Sequence, residues 1–127
     1  MTIVTNAADV SPDTMEWIFR NVDALIDSNI NLITPSGHVS YKDLIYAAYV
    51  GVPCNQGLFA IGDSPAAAFD ELAGVCYGVC PKFRISDGDA SIVEIPTEMY
   101  LAHYKVRRGP FAASLRRDII YGEWRAD

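Results

Sequence analysis

The stretch "SPDTMEWIFRNVDALI" (residues 11–26) constrains the fold most. Ser11 can accept from the first free N–H groups of a helix, Pro12 suits its first position, and Asp13 meets the positive end of its dipole. Met15, Ile18, Phe19, Val22, Leu25 and Ile26 then recur at helical spacing, which predicts a helix over about 11–28. An apolar stripe of that width has to be covered, so the chain must build a core around this helix. Trp17 stands beside the stripe, either at the core edge or as an exposed anchor.

A chain of 127 residues suggests one domain. Half of its residues are apolar or aromatic and a fifth are charged, a globular balance rather than a disordered one. No apolar run approaches the roughly 20 residues that span a bilayer. The opening "MTIVTNAADVSPD" has neither a basic n-region nor an h-region, so no signal peptide and a cytoplasmic location are expected.

The remaining elements follow from punctuation. Pro35 and Gly37 mark a turn. Ser40 can cap a second helix, "YKDLIYAAYV", stopped by Gly51 and Pro53, with Leu44, Ile45, Ala48 and Tyr49 inward. "GLFAIG" (57–62) reads as a buried strand. "DSPAAAFDEL", capped by Ser64 and begun by Pro65, reads as a short helix ending near Leu72. "AGVCYGVCPKFRIS" (73–86), the turn "DGD" (87–89) and "ASIVEI" (90–95) read as an antiparallel hairpin.

Residues 96–109, "PTEMYLAHYKVRRG", fit two readings. Lys105, Arg107 and Arg108 before Gly109 are the cations and terminator of a helix end. Tyr100, Ala102, Tyr104 and Val106 also alternate as a strand does. Helix is the reading taken. After Pro110 a last helix is expected, with Phe111, Leu115, Ile119 and Ile120 inward and Arg116, Arg117 and Asp118 toward water. The whole is a single α+β domain over residues 1–127: a small antiparallel sheet of about three or four strands covered by four to five helices.

Cys54, Cys76 and Cys80 are an odd number, which argues for reduced thiols. Cys76 and Cys80, spaced C-x3-C among Val, Ala and Gly, read as small core residues. They are not a zinc knuckle, and a metal site would have to recruit His38 or His103 from afar. No metal and no cofactor are expected.

The net charge of −6 is uneven. Residues 1–104 carry four Lys/Arg against thirteen Asp/Glu, a net −9, and residues 105–127 carry six against three, a net +3. An acidic chain is a poor candidate for duplex DNA, because neutralising phosphates supplies much of that affinity. The basic end collects Lys105, Arg107, Arg108, Arg116 and Arg117, with Tyr104, Tyr121 and Trp124 near them in sequence. Arg, Tyr and Trp are the types enriched at interface hot spots. The alternative is a solvated face whose arginines pair with Asp118, Glu123 and the acidic body.

Under the strand reading, "HYKVRRGPFAASL" becomes strand, glycine-bearing loop and helix, which offers backbone N–H groups to a phosphate. In that form it resembles the pyrophosphate loop of the GNAT-type N-acetyltransferases, Arg/Gln-x-x-Gly-x-Gly/Ala. The N-terminal "MTIVTNAADVSPDTMEWIF" is similar to that family's opening strand and helix. Val106 and Phe111 stand where the pattern has Arg/Gln and Gly/Ala, and Pro110 has no N–H. The resemblance implies acetyl-coenzyme A held by Arg107, Arg108, Gly109, Phe111, Ala112 and Ala113, with Glu94 or Glu98 as base. A third reading pairs Cys54 with His38 or His103 in a hydrolase.

With no catalytic pattern at convincing spacing, the expectation is a non-enzymatic protein that binds another macromolecule through its basic, aromatic C-terminal region. A protein partner is expected, in an inhibitor, immunity or assembly role; self-association is compatible with it, and nucleic acid or membrane binding is not expected.

Overall fold

The computed structural model describes residues 3–32, 43–50, 58–79 and 89–121, the side chains of 29–32 excepted. Among them run β1 (Val4–Asn6), a 3-10 turn (Ala7–Asp9), α1 (Pro12–Leu32), β2 (Leu44–Val50) and β3 (Leu58–Gly62). Then come α2 (Pro65–Val79), β4 (Ser91–Pro96), α3 (Thr97–Arg108) and α4 (Pro110–Ile120). The four strands form one sheet in the order β1-β4-β2-β3. The fold is α+β, and the sheet is mixed rather than purely antiparallel. β2 runs antiparallel to β3 and β4, whereas β1 lies parallel to β4, with Val4 opposite Ile92. Parallel neighbours require a long crossover, and here everything from α1 to α2 lies between them.

Local signals set the helix starts. Ser11 Oγ accepts from the Thr14 N–H at 3.3 Å, and Ser64 Oγ accepts from the Ala67 N–H at 3.1 Å. α1 buries Met15, Ile18, Phe19, Val22 and Ile26. Trp17 is half-buried at the core edge, its ring edge-on to Tyr49 and Phe59 at 5.4 and 5.5 Å.

Three expectations differ from the structure. Residues 44–50 form a strand, not a helix. β2 lies between β3 and β4 with helices on both faces, so it is apolar at nearly every position. Ile45, Ala47 and Tyr49 face the α1 side, while Tyr46, Ala48 and Val50 face α2. A run apolar on both faces carries no period that separates strand from helix.

Residues 73–79 continue α2 rather than opening a strand, because Cys76 extends the row of Ala68 and Leu72 along the second core. The expected hairpin is replaced accordingly, and β4 finds its antiparallel partner in β2, with Ile45 opposite Ile95. The expected turns at 35–37 and 51–53, and the whole segment 80–88, lie outside the described residues.

The sheet separates two cores. α1, α3 and α4 cover one face and α2 covers the other. α2 descends tightly onto β3: a Cβ at Gly62 would stand 2.5 Å from the Ala68 amide nitrogen, so only glycine fits there.

Candidate functional site

Residues 97–108 are helical, and Gly109 ends the helix with φ 92°, its N–H donating to the Lys105 carbonyl at 2.8 Å. Pro110 then begins α4. "RRGP" is therefore a helix–helix corner. The strand–loop–helix arrangement on which the acetyltransferase resemblance depended is absent: Gly109 has given its N–H to α3 and Pro110 has none.

The positive side chains divide into two groups. Arg107, Arg116 and Arg117 are engaged within the molecule. Arg116, expected to lie toward water, is only 6% exposed. It donates to Asp27 Oδ1 at 2.6 Å and to the Tyr104 hydroxyl at 3.0 Å, and its guanidinium carbon lies 4.6 Å from the centre of the Tyr104 ring. Arg107 donates to Asp23 Oδ2 and, through Nε, to His103 Nδ1 at 3.1 Å. Asp23 also accepts from the buried Tyr100 hydroxyl. Arg117 grips Glu98 with both terminal nitrogens, and the Tyr121 hydroxyl donates to the same carboxylate at 3.2 Å. These contacts lash α3 and α4 to α1 and to each other.

The electrostatics follow from this packing. Burial pushes the Tyr100 hydroxyl far above the ordinary phenol range, so it remains a proton donor to Asp23. His103 stacks on Phe19 with ring centres 4.4 Å apart. Burial first, and then the Arg107 charge, hold it below the usual histidine value. Its Nδ1 accepts from Arg107, so the ring is neutral and is occupied structurally. Glu98 is lowered, first by the Arg117 hydrogen bonds. Glu94 is half-buried beside the Tyr46 hydroxyl, 3.5 Å away. Neither glutamate stands as a free base.

Lys105 and Arg108 form the second group. Both are exposed, and neither has an ion-pair partner among the described residues. Beside them Val106 is 86% and Phe111 78% exposed, and Leu115 and Met99 are exposed as well. The inward set expected for α4 is thus reversed at Phe111 and Leu115: Ala113, Arg116 and Ile120 are the buried row. Both rows are legitimate helical stripes. The polar slot formed by Asp27 and the Tyr104 hydroxyl decides which one turns in.

Between the two helices runs a groove of about 320 Å³. Glu98, Leu101, Ala102 and Lys105 line it from α3, and Pro110, Ala113, Ser114 and Arg117 from α4. Each set follows the i, i+3, i+4, i+7 spacing of one helix face. The Glu98–Arg117 pair stands at one end, and Lys105 and Pro110 at the corner end.

Ala112 is half-buried against the core behind Phe111. Cys76 is a buried free thiol whose pKa burial raises. Trp124, Cys54, Cys80 and His38 lie outside the described residues. Among the described residues, no group of three or more His, Cys, Asp or Glu could hold a metal, and no helix is long and apolar enough to cross a membrane. Comparison with family models, curated proteins and solved structures finds nothing that matches this chain.

Proposed function

We propose that this chain acts by binding another macromolecule, a protein, through the corner between α3 and α4. One observation carries the reading: Val106 and Phe111 project into solvent on either side of Gly109, flanked by Lys105 and Arg108, on a base held stiff by Arg107, Arg116 and Arg117. Large exposed apolar side chains beside cations that no described carboxylate engages make a docking surface. A stiff base loses little conformational freedom when a partner arrives.

The working residues are accordingly Lys105, Arg108, Val106 and Phe111, and Tyr104, Arg107, Arg116, Arg117 and Tyr121 form the framework beneath them. A net charge of −6 argues against nucleic acid as the partner. A cytoplasmic setting goes with the free Cys76 thiol.

The test is capture of partners from the host with wild-type chain and with Phe111→Asp and Lys105→Glu/Arg108→Glu. Asp9→Lys/Asp13→Lys on α1 and its approach serves as the control. Loss of capture in the first two with retention in the control supports the reading. Equal capture by all four overturns it.

A further inference from the structure

α2 holds two glycines that its own chain does not need. Gly74 and Gly78 lie one turn apart on the outer face of the helix, and among the described residues a Cβ on either would meet nothing within 4 Å. Neither has positive φ. Each weakens the helix by about 1 kcal/mol relative to alanine. The same end exposes Val75, Tyr77 and Val79, the last by 67%, and residues 73–79 contain no charged side chain. One turn earlier Asp70 and Glu71 are exposed, without an ion-pair partner among the described residues.

This face is the converse of the α3–α4 corner. The corner offers apolar knobs, Val106 and Phe111, beside two cations. α2 offers bare backbone at two glycines, apolar flanks and two carboxylates. Knobs fit where side chains are missing, and Lys105 and Arg108 suit Asp70 and Glu71. The two surfaces lie on opposite sides of the sheet, so one molecule cannot join them to each other. Pairing α2 with α2 supplies no cation to Asp70 and Glu71, and pairing corner with corner brings Lys105 and Arg108 toward their own kind. Only a head-to-tail contact sets opposite charges together.

We propose that the partner is a second copy of this chain, with the α3–α4 corner of one protomer seated on the α2 face of the next; this rests on reading the corner as the working surface. Such a contact is heterologous, so it repeats into a ring or an open filament. The carboxylates and cations set its direction, and the glycines let the knobs approach the helix backbone.

Sedimentation velocity on the full chain over a wide concentration range tests this. Wild-type mass should rise past dimer with concentration and fall back in high salt, which screens the charge pairs. Phe111→Asp, and separately Gly74→Gln/Gly78→Gln, should each weaken association about tenfold or more. Asp favours the first turn of α4, and Gln is a better helix former than Gly, so both variants keep their folds. Mixed in equal amounts they should form dimers and nothing larger, because each retains one intact surface.

A wild-type chain that is monomeric throughout, a mixture that stays monomeric, or variants that assemble like wild type would each overturn the proposal. If wild type is monomeric but Phe111→Asp still loses capture of a host protein, the self-association fails and the binding reading stands. If capture is also unaffected, both fail.

Discussion

Arg116 on α4 reaches across to Asp27 on α1, placing its guanidinium 2.6 Å from the carboxylate although only 6% of the arginine is exposed. Asp27 itself remains half in water, with 55% of its side chain exposed. Removing Asp27 leaves a cation in the interior with only the Tyr104 hydroxyl. Asp27→Ala is therefore expected to cost about 1–3 kcal/mol in urea unfolding, less than a fully enclosed pair would. Adding Arg116→Met removes the stranded charge and should recover most of that loss. Glu16→Ala breaks an exposed pair with Arg20 and should change stability by less than about 0.5 kcal/mol.

Asp23 ties Tyr100 and Arg107 together from a position only 9% exposed. Tyr100→Phe removes one donor and should cost about 1–2 kcal/mol. Asp23→Ala strands both a buried hydroxyl and a cation, so its loss should be clearly larger. Thermal unfolding of the two variants side by side checks the order, and equal losses would mean that the carboxylate does not join the two groups.

The glycines should separate into two classes. Gly62→Ala drives a methyl into the α2 backbone and should destabilise by about 1–3 kcal/mol. Gly109→Ala has open space but a φ of 92°, and backbone strain should cost it about 1 kcal/mol or more. Gly74→Ala and Gly78→Ala should instead raise the stability of the monomer, by roughly 0.5–1 kcal/mol each. Denaturant midpoints at low protein concentration distinguish the classes.

Stability should depend on pH through His103. Its folded value lies below that of the unfolded chain, so the unfolded state binds the proton first. Stability then falls as pH drops through about 6.5, the unfolded histidine value, and levels off below the folded one. His103→Gln keeps an acceptor for Arg107 without a titrating ring, and unfolding between pH 5 and pH 8 should lose that slope relative to wild type. Glu98 acts in a more acid window. Its lowered value stabilises the fold above the unfolded carboxylate range, and that contribution is lost as pH falls through the folded value. Because Glu98 is mostly exposed, the effect stays within the small range of surface pairs.

Local chemistry was readable directly. Ser11 and Ser64 cap the helices they were expected to cap, Gly109 ends α3, and the α1 stripe is buried where its spacing put it. The caps and the terminator depend on contacts within a few residues, and the α1 stripe on its own spacing, so each signal sits close to its cause in the chain. Corner residues Lys105 and Arg108 were visible as cations, but their lack of an ion-pair partner among the described residues was not, because it depends on which carboxylates approach. Val106 and Phe111 were hidden by their own apolarity, which suggests an interior.

By itself, then, the sequence determined where α1, α2 and α4 begin and where α3 ends, that an α+β fold must form, and that charge is split between body and tail. Tertiary structure alone decided that residues 44–50 are a central strand, that α2 runs on to Val79, and that Arg116 turns inward while Phe111 turns out. The physical reason is common to all three. A side chain or segment with two acceptable environments takes the one its distant neighbours complete: helices on both faces for β2, a sheet surface for Cys76, and the Asp27–Tyr104 slot for Arg116.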